Sequence, residues 1–454
     1  MRRSFPFLLA TALVLLALSF GGSAGASARE FHVDPSGAVA DGTTSATSFR
    51  SLEDALSQVQ LQSGDRLLLH SGSYGELQIQ GQHVDGPVFL QPAPGAEVVA
   101  DTLRISDSSG WRLTGLLIEP QQPLEVPRDG PDVGPPGFPT TLVVIERDAR
   151  DIVLEGLSIR SAPSIEGWGE AEWLDRAHNG IAVEGANVRL LENSITNVRH
   201  GITASGTGVR VEGNTIDRFS EDGIRALGND GVYRGNTIKN CYRPYYHHDD
   251  GFQSWSRGPD GRAGTGVVRN VEITGNRIIN FEDPDQPFRC QLQGIGLFDG
   301  MFENWTIANN LLVVDSWHGI TVMGARNVKV VNNTLLDAVP GPLGPPWITI
   351  VSHKNGTPGF GNTVANNLAP SFNETGFDPE LFILDPAATH FTHNLRFEAA
   401  DRMFRDADRG DFRLRNDSAA IDAGTAEHAP DIDLMGQRRP VGTAPDIGAF
   451  EFIE

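Results

Sequence analysis

From residue 178 to about 370 the chain repeats one arrangement of polar and apolar positions. A polar residue precedes Gly and an apolar residue, a short alternating run and a second β-rich run follow, and an Asn opens the next stretch. The first motif reads His178-Asn179-Gly180-Ile181, His200-Gly201-Ile202, Asp222-Gly223-Ile224, Asp250-Gly251-Phe252, Gln293-Gly294-Ile295 and His318-Gly319-Ile320. The matching asparagines are Asn193, Asn214, Asn236, Asn276, Asn310, Asn333 and Asn367. Spacings of 21, 22 and 23 residues hold where nothing is inserted, and 34 or 40 where a loop intrudes. A β-rich repeat near 22 residues predicts one coil of a parallel β-helix, since each unit can bury its apolar face only against its neighbours. Side chains alternate along a strand, so Gly+1 and Gly+3 point inward while Gly+2 and Gly+4 point out. The repeated Asn fits an internal ladder in which stacked amides bond each other and the backbone.

Less regular coils are expected over 64–160, with Gly115 and Gly156 in the place of the turn Asn. Before them, Ser51-Leu52-Glu53-Asp54-Ala55-Leu56 with Val59 has helical spacing and predicts a cap over the open end of the stack. After about residue 395 the repeat fades into a tail rich in Pro and Asp. The chain thus divides into an export signal (1–28), an N-terminal strand and capping helix (29–63), an all-β parallel β-helix solenoid (64–395) and a tail packed on it (396–454).

The signal is read from Arg2 and Arg3, an apolar run from Phe7 to Phe20, and small residues ending in Ala26-Ser27-Ala28. It predicts a secreted or periplasmic protein, with no membrane contact once the signal is cut. The formal charge of −22 makes nucleic acid and anionic membranes poor partners. A monomer is expected. Cys241 and Cys290, the two cysteines, lie shortly before groove strands of successive coils, where an oxidising compartment permits a disulfide.

The candidate chemistry lies in the outward face of one sheet and the residue before each Gly, with neighbouring coils ~4.8 Å apart. Coil by coil that residue is Asn179, His200, Asp222, Asp250, Gln293 and His318, a polar stripe expected to line a lengthwise groove. Glu221, Asp222, Asp249 and Asp250 crowd two adjacent coils beside Arg225, His247, His248 and Gln253. Like charges that close raise one another's pKa or demand a cation, so these four carboxylates are the candidate ligands of a bound Ca²⁺. The largest insertions interrupt the ladder around this cluster and carry Trp168, Trp173, Tyr242, Tyr245 and Tyr246, while Trp255, Phe298, Trp317 and Trp347 lie near the groove. Aromatic faces stack on sugar rings and suit a half-wet cleft, which makes His200, Tyr242, Tyr245, Tyr246, Gln253, Trp255 and Trp317 the candidate substrate contacts.

Phe31-His32-Val33-Asp34-Pro35-Ser36-Gly37, Ser63-Gly64-Asp65, Gly72-Ser73-Tyr74, Ala420-Ile421-Asp422-Ala423-Gly424 and Asp446-Ile447-Gly448-Ala449-Phe450-Glu451 resemble the start and end of secreted bacterial right-handed β-helix proteins, among them pectate and alginate lyases. The resemblance implies a right-handed helix and an acidic polysaccharide as substrate. His248-Asp249-Asp250-Gly251-Phe252 is similar to the metal-holding strand of calcium-dependent pectate lyases, but Ser254-Trp255 stands where their lysine base would follow. Asp222-Gly223, Asp249-Asp250 and His318-Gly319 resemble polygalacturonase motifs, but the Gln293 coil intervenes. Two carboxylates one coil apart are close for an inverting hydrolase, which needs ~6.5–9.5 Å between them. The reading is therefore a lyase that cleaves a uronate polysaccharide by β-elimination, with Arg225 or a cation neutralising the uronate and His248 as base, backed by His318 or His200. An inverting hydrolase using Asp222 and Asp250, a uronate C5-epimerase and a non-catalytic carbohydrate-binding protein are the alternatives.

Overall fold

The computed structural model describes residues 28–454 apart from 38–41, 45–46, 123, 125–139, 245–247, 281, 284–285, 340, 342 and 374–387. The segment expected to be an export signal, except for its last residue, and Tyr245, Tyr246 and His247 lie outside the described residues. No helix among the described residues is long and apolar enough to cross a membrane.

The strands form three long parallel sheets of 13, 11 and 12 members, and within each the spatial order follows the chain order without a crossover. Every coil therefore pairs only with the coil before and the coil after it, which is the parallel β-helix the repeat predicts. Register is kept by the inward positions. Ile181, Ile202, Ile224, Phe252, Ile295, Ile320 and Ile348 stand one above another in the 11-stranded sheet and are all buried. A slip of one residue would turn this column to solvent.

The asparagines form one column. Each Nδ2 donates to the Oδ1 of the next, at 2.8 Å from Asn193 to Asn214 and 3.0 Å from Asn276 to Asn310, and the ladder runs on past Asn367 to an eighth rung, Asn394. The other amide hydrogen goes to a backbone carbonyl, as from Asn236 to Val211 at 2.8 Å. Gly115 and Gly156 do not occupy the ladder position. They align with the residue before it, where the backbone is left-handed as at Glu192 and Gly213, and Leu157 takes the place of Asn193 one coil earlier. The glycine of the repeated motif has a steric cause: a Cβ on Gly201 would come within 2.4 Å of the Gly223 carbonyl and 2.8 Å of Ile216.

A helix, α1 (Leu52–Gln58), starts at Ser51, whose hydroxyl accepts the Asp54 N–H, and it buries Leu52 and Ala55 against the first coils. The tail packs Phe404, Leu414, Ile447 and Phe450 on Leu311, Leu336 and Leu368 of the 12-stranded sheet. Buried Arg439 fastens it, donating to Glu451 at 2.6 Å and to Asn309 of the stack at 3.1 Å. These elements leave the 11-stranded sheet as the face that carries the candidate site.

Candidate active site

Two columns of polar side chains meet on that face. The outward positions align as Thr203, Arg225, Gln253, Gly296, Thr321 and Thr349. Beside them run His200, Asp222, Asp250, Gln293 and His318, aligned by backbone bonds such as Gly201 N–H to Asp222 and Gly223 N–H to Asp250. The columns interlock within each coil. Asp222 Oδ2 accepts from Arg225 Nε at 2.6 Å, Asp250 Oδ2 accepts from Gln253 Nε2 at 2.9 Å, and His318 Nδ1 meets the Thr321 hydroxyl at 3.0 Å. The same i to i+3 clasp thus recurs in three coils with different chemistry.

This corrects the expectation that the residues before Gly line the groove. Asp222 and Asp250 are fully buried, and what faces outward is Arg225 and Gln253 above them. Asp222 Oδ1 also accepts the Asp250 N–H at 3.2 Å. Asp250 Oδ1 has no hydrogen-bond partner among the described residues. Burial, and then the charge of Asp222, push the Asp250 carboxyl well above the usual carboxylate range, which favours its protonated form. Gly296 lies next to it: a side chain there would start 2.7 Å from Asp250 Oδ1, and the Phe298 ring folds back over the same spot.

Further under the surface, Glu221 accepts from Arg199 Nε at 3.0 Å and contacts His200 Nε2, while His200 Nδ1 accepts the Asp222 N–H at 3.2 Å. His200 is buried, so it supports the site from below. Asp249 turns away from Asp250. It is buried on the other side of the strand, with Arg243 Nε at 3.7 Å and the Cys241–Cys290 disulfide beside it. The four carboxylates expected to hold a cation therefore do not gather: Glu221 faces Arg199 and His200, Asp222 faces Arg225, and Asp249 faces the disulfide. Among the described residues one group of three metal-type ligands converges, Cys241, Asp249 and Cys290, and both of its sulfurs are bonded to each other. Where Asp222 would meet a cation, the Arg225 guanidinium already stands, and the residues present do not fit a Ca²⁺ site.

Aromatic rings surround the outward layer. Arg225 lies over the Trp255 ring at 5.3 Å. His318 meets Phe298 edge-on at 5.0 Å and Trp347 at 5.4 Å, and Trp317 stacks on Trp347 at 6.2 Å. Gln253, Trp255, Phe298 and Asp299 with Ser254 and Ala263 line a pocket of about 170 Å³. Burial and the nearby Lys354 and His248 push the His318 imidazole down to about 4, so it is neutral at physiological pH. His248 is exposed, and Lys354 reaches Asp299 at 2.9 Å. Tyr242 is not a groove wall. Its ring is buried on Trp173 at 5.1 Å, in a small core with Trp168 that fastens the insertion holding helix α2 (Glu170–Arg176).

Phe298 and Trp255 are each four residues after the repeated Gly, so strand alternation marks both as outward, and Phe298 belongs to the site on that ground. Lys354 carries no such mark, because it follows the last residue of its strand and enters from a loop.

Residues 179–369 match the family described as right handed beta helix region. The fold of the chain is a right-handed parallel β-helix. Solved structures of similar shape include pectate lyase Pel9A, 15% identical, covering 94% of this chain and 96% of that one at a TM-score of 0.46. Dettilon tailspike protein is 16% identical over 76% of this β-helix chain and 63% of its own, at 0.49. A rhamnogalacturonan lyase is 15% identical over 86% and 94%, at 0.43. No curated protein matches the sequence.

Proposed function

We propose that this β-helix protein is a polysaccharide lyase that cleaves a uronate-containing chain by β-elimination across the Phe298 ring. The observation that carries the reading is the aromatic floor of Trp255 and Phe298, with Arg225 over one ring and His318 against the other. Their strand positions are three coils apart, ~14 Å along the axis. Arg225, however, leans one coil forward over Trp255, and His318 leans one coil back onto Phe298. Arg225 and His318 thus stand at the two ends of an aromatic floor made by Trp255 and Phe298.

In this reading the ring stacks on Phe298. Arg225, oriented by Asp222, pairs with the uronate carboxylate and makes the neighbouring C5–H more acidic. Thr321 holds His318 Nδ1, so Nε2 removes the C5 proton, and the electron pair left behind forms the C4–C5 double bond as the C4–oxygen bond breaks. Asp250, buried beneath the outward layer, holds Gln253 in place, and the leaving oxygen takes its proton from solvent. A hydrolase is the second reading, favoured by Asp222 and Asp250 standing in adjacent coils with the charge of one raising the pKa of the other.

A screen of polygalacturonate, alginate and glycosaminoglycan uronates, read by ultraviolet absorbance of an unsaturated product, tests the proposal. Turnover that persists in chelator and yields the double bond supports it. Saturated products with new reducing ends move the assignment to the hydrolase, and loss of activity in chelator contradicts the role given to Arg225.

A further inference from the structure

Beneath the outward layer a line of alternating charge crosses two coils, and His200 is its centre. Arg199 and Glu221 form a nearly buried pair, Glu221 Oε2 meets His200 Nε2, and His200 Nδ1 accepts the Asp222 N–H at 3.2 Å. An acceptor at Nδ1 carries no proton, so the neutral ring holds its hydrogen on Nε2, where Glu221 receives it. The same Nδ1 lies 3.7 Å from Asp222 Oδ2, the oxygen that Arg225 Nε holds at 2.6 Å. In the other tautomer, or as imidazolium, Nδ1–H would clash with the Asp222 N–H and be drawn to Oδ2, in competition with Arg225.

We propose that Glu221 is a positioning residue that locks His200 in the Nε2–H tautomer and so leaves the Asp222 carboxylate to Arg225. The charged groups facing the ring are Glu221, Asp222 and Arg225, with Arg199 paired to Glu221, and Glu221 is the one that contacts Nε2. Glu221 acts through two intermediaries on the guanidinium. The inference rests on the reading of Arg225 as the uronate clamp for its catalytic consequence, and on the hydrogen-bond geometry alone for the tautomer.

The test is nitrogen NMR of the protein labelled at its histidine rings, with His200 assigned by His200→Gln. The wild-type protein at neutral pH is expected to show His200 protonated at Nε2 and bare at Nδ1. Glu221→Ala should lose that pattern, and Glu221→Gln, whose amide oxygen still accepts from Nε2–H, should restore it. Glu221→Ala leaves Arg199 buried beside no carboxylate, so Arg199→Met with Glu221→Ala supplies a second background in which the same loss is expected. On the polysaccharide cleaved by wild type, Glu221→Ala should lower kcat/KM about tenfold or more, as removal of an orienting partner does, with Glu221→Gln recovering most of it. A proton on Nδ1 in the wild type, or an unchanged tautomer in both Ala backgrounds, overturns the proposal. The expected tautomers with no uronate cleavage would instead keep the positioning role and refute the lyase reading.

Discussion

Two columns of polar side chains run along this β-helix, and they differ in every respect except their period. The ladder of Asn193 to Asn394 repeats one residue, is buried throughout most of its length, and satisfies its amides against neighbours and backbone. The column of His200, Asp222, Asp250, Gln293 and His318 changes residue at nearly every coil, and it includes a buried carboxylate oxygen with no hydrogen-bond partner among the described residues. A position that only holds coils together has one best solution, so it is repeated. Where a column varies from coil to coil while its backbone does not, the variation has another cause, and here that cause is the layer of side chains clasped above it.

The comparison is broken most severely at His318. His318→Gln should cut turnover on the cleaved uronate by about 10²- to 10⁴-fold, the usual contribution of a general base, while the melting temperature moves little. Initial rates on wild type and variant, with unfolding followed by circular dichroism, check both halves. The ladder should behave oppositely. Asn236→Ala removes an amide that donates to Val211 and Asn276 and accepts from Asn214, leaving buried partners unsatisfied at a cost of about 3 kcal/mol or more. Calorimetry should show that loss, and kcat per folded molecule should stay near wild type.

The pH dependence sharpens the contrast. His318 must be neutral to act as a base and its pKa is pushed down to about 4, so kcat/KM should fall only as pH drops through about 4. An exposed imidazole would lose its function near 6.5. Asp250 has its pKa raised by burial, so the folded state holds its proton more tightly than the unfolded chain, and the melting temperature should fall as pH climbs from about 4 towards that raised value. A profile whose acid limb lies near 6.5 would remove His318 from the role of base. The smallest effect is expected on the exposed Arg147–Glu184 pair, where Arg147→Ala should change stability by less than about 0.5 kcal/mol in thermal unfolding.

The contrast also marks what the sequence could show. The Asn and Gly columns were legible because a repeated residue at a repeated spacing is itself the coil, and the outward Gly+2 and Gly+4 positions followed from strand alternation. The depth of Asp222 and Asp250 was not legible. The chain turns at the Gly, so alternation does not extend back across it, and the side chain before Gly tucks beneath the outward residue. Tyr242 belonged to an insertion outside the repeat, where nothing in the period separates a groove wall from a small core with Trp168 and Trp173. The pairing of Asp249 with Arg243 and its place beside the disulfide were hidden for the same reason: both contacts are made by segments that leave the coil.

The central claim, elimination on a uronate, is tested most directly by running the cleavage in ¹⁸O-labelled water and weighing the products. Elimination breaks the C4–oxygen bond without adding water, so the account predicts fragments that carry a C4–C5 double bond and no ¹⁸O introduced by cleavage. One ¹⁸O per cut, with saturated ends, would contradict it and assign Asp222 and Asp250 to hydrolysis.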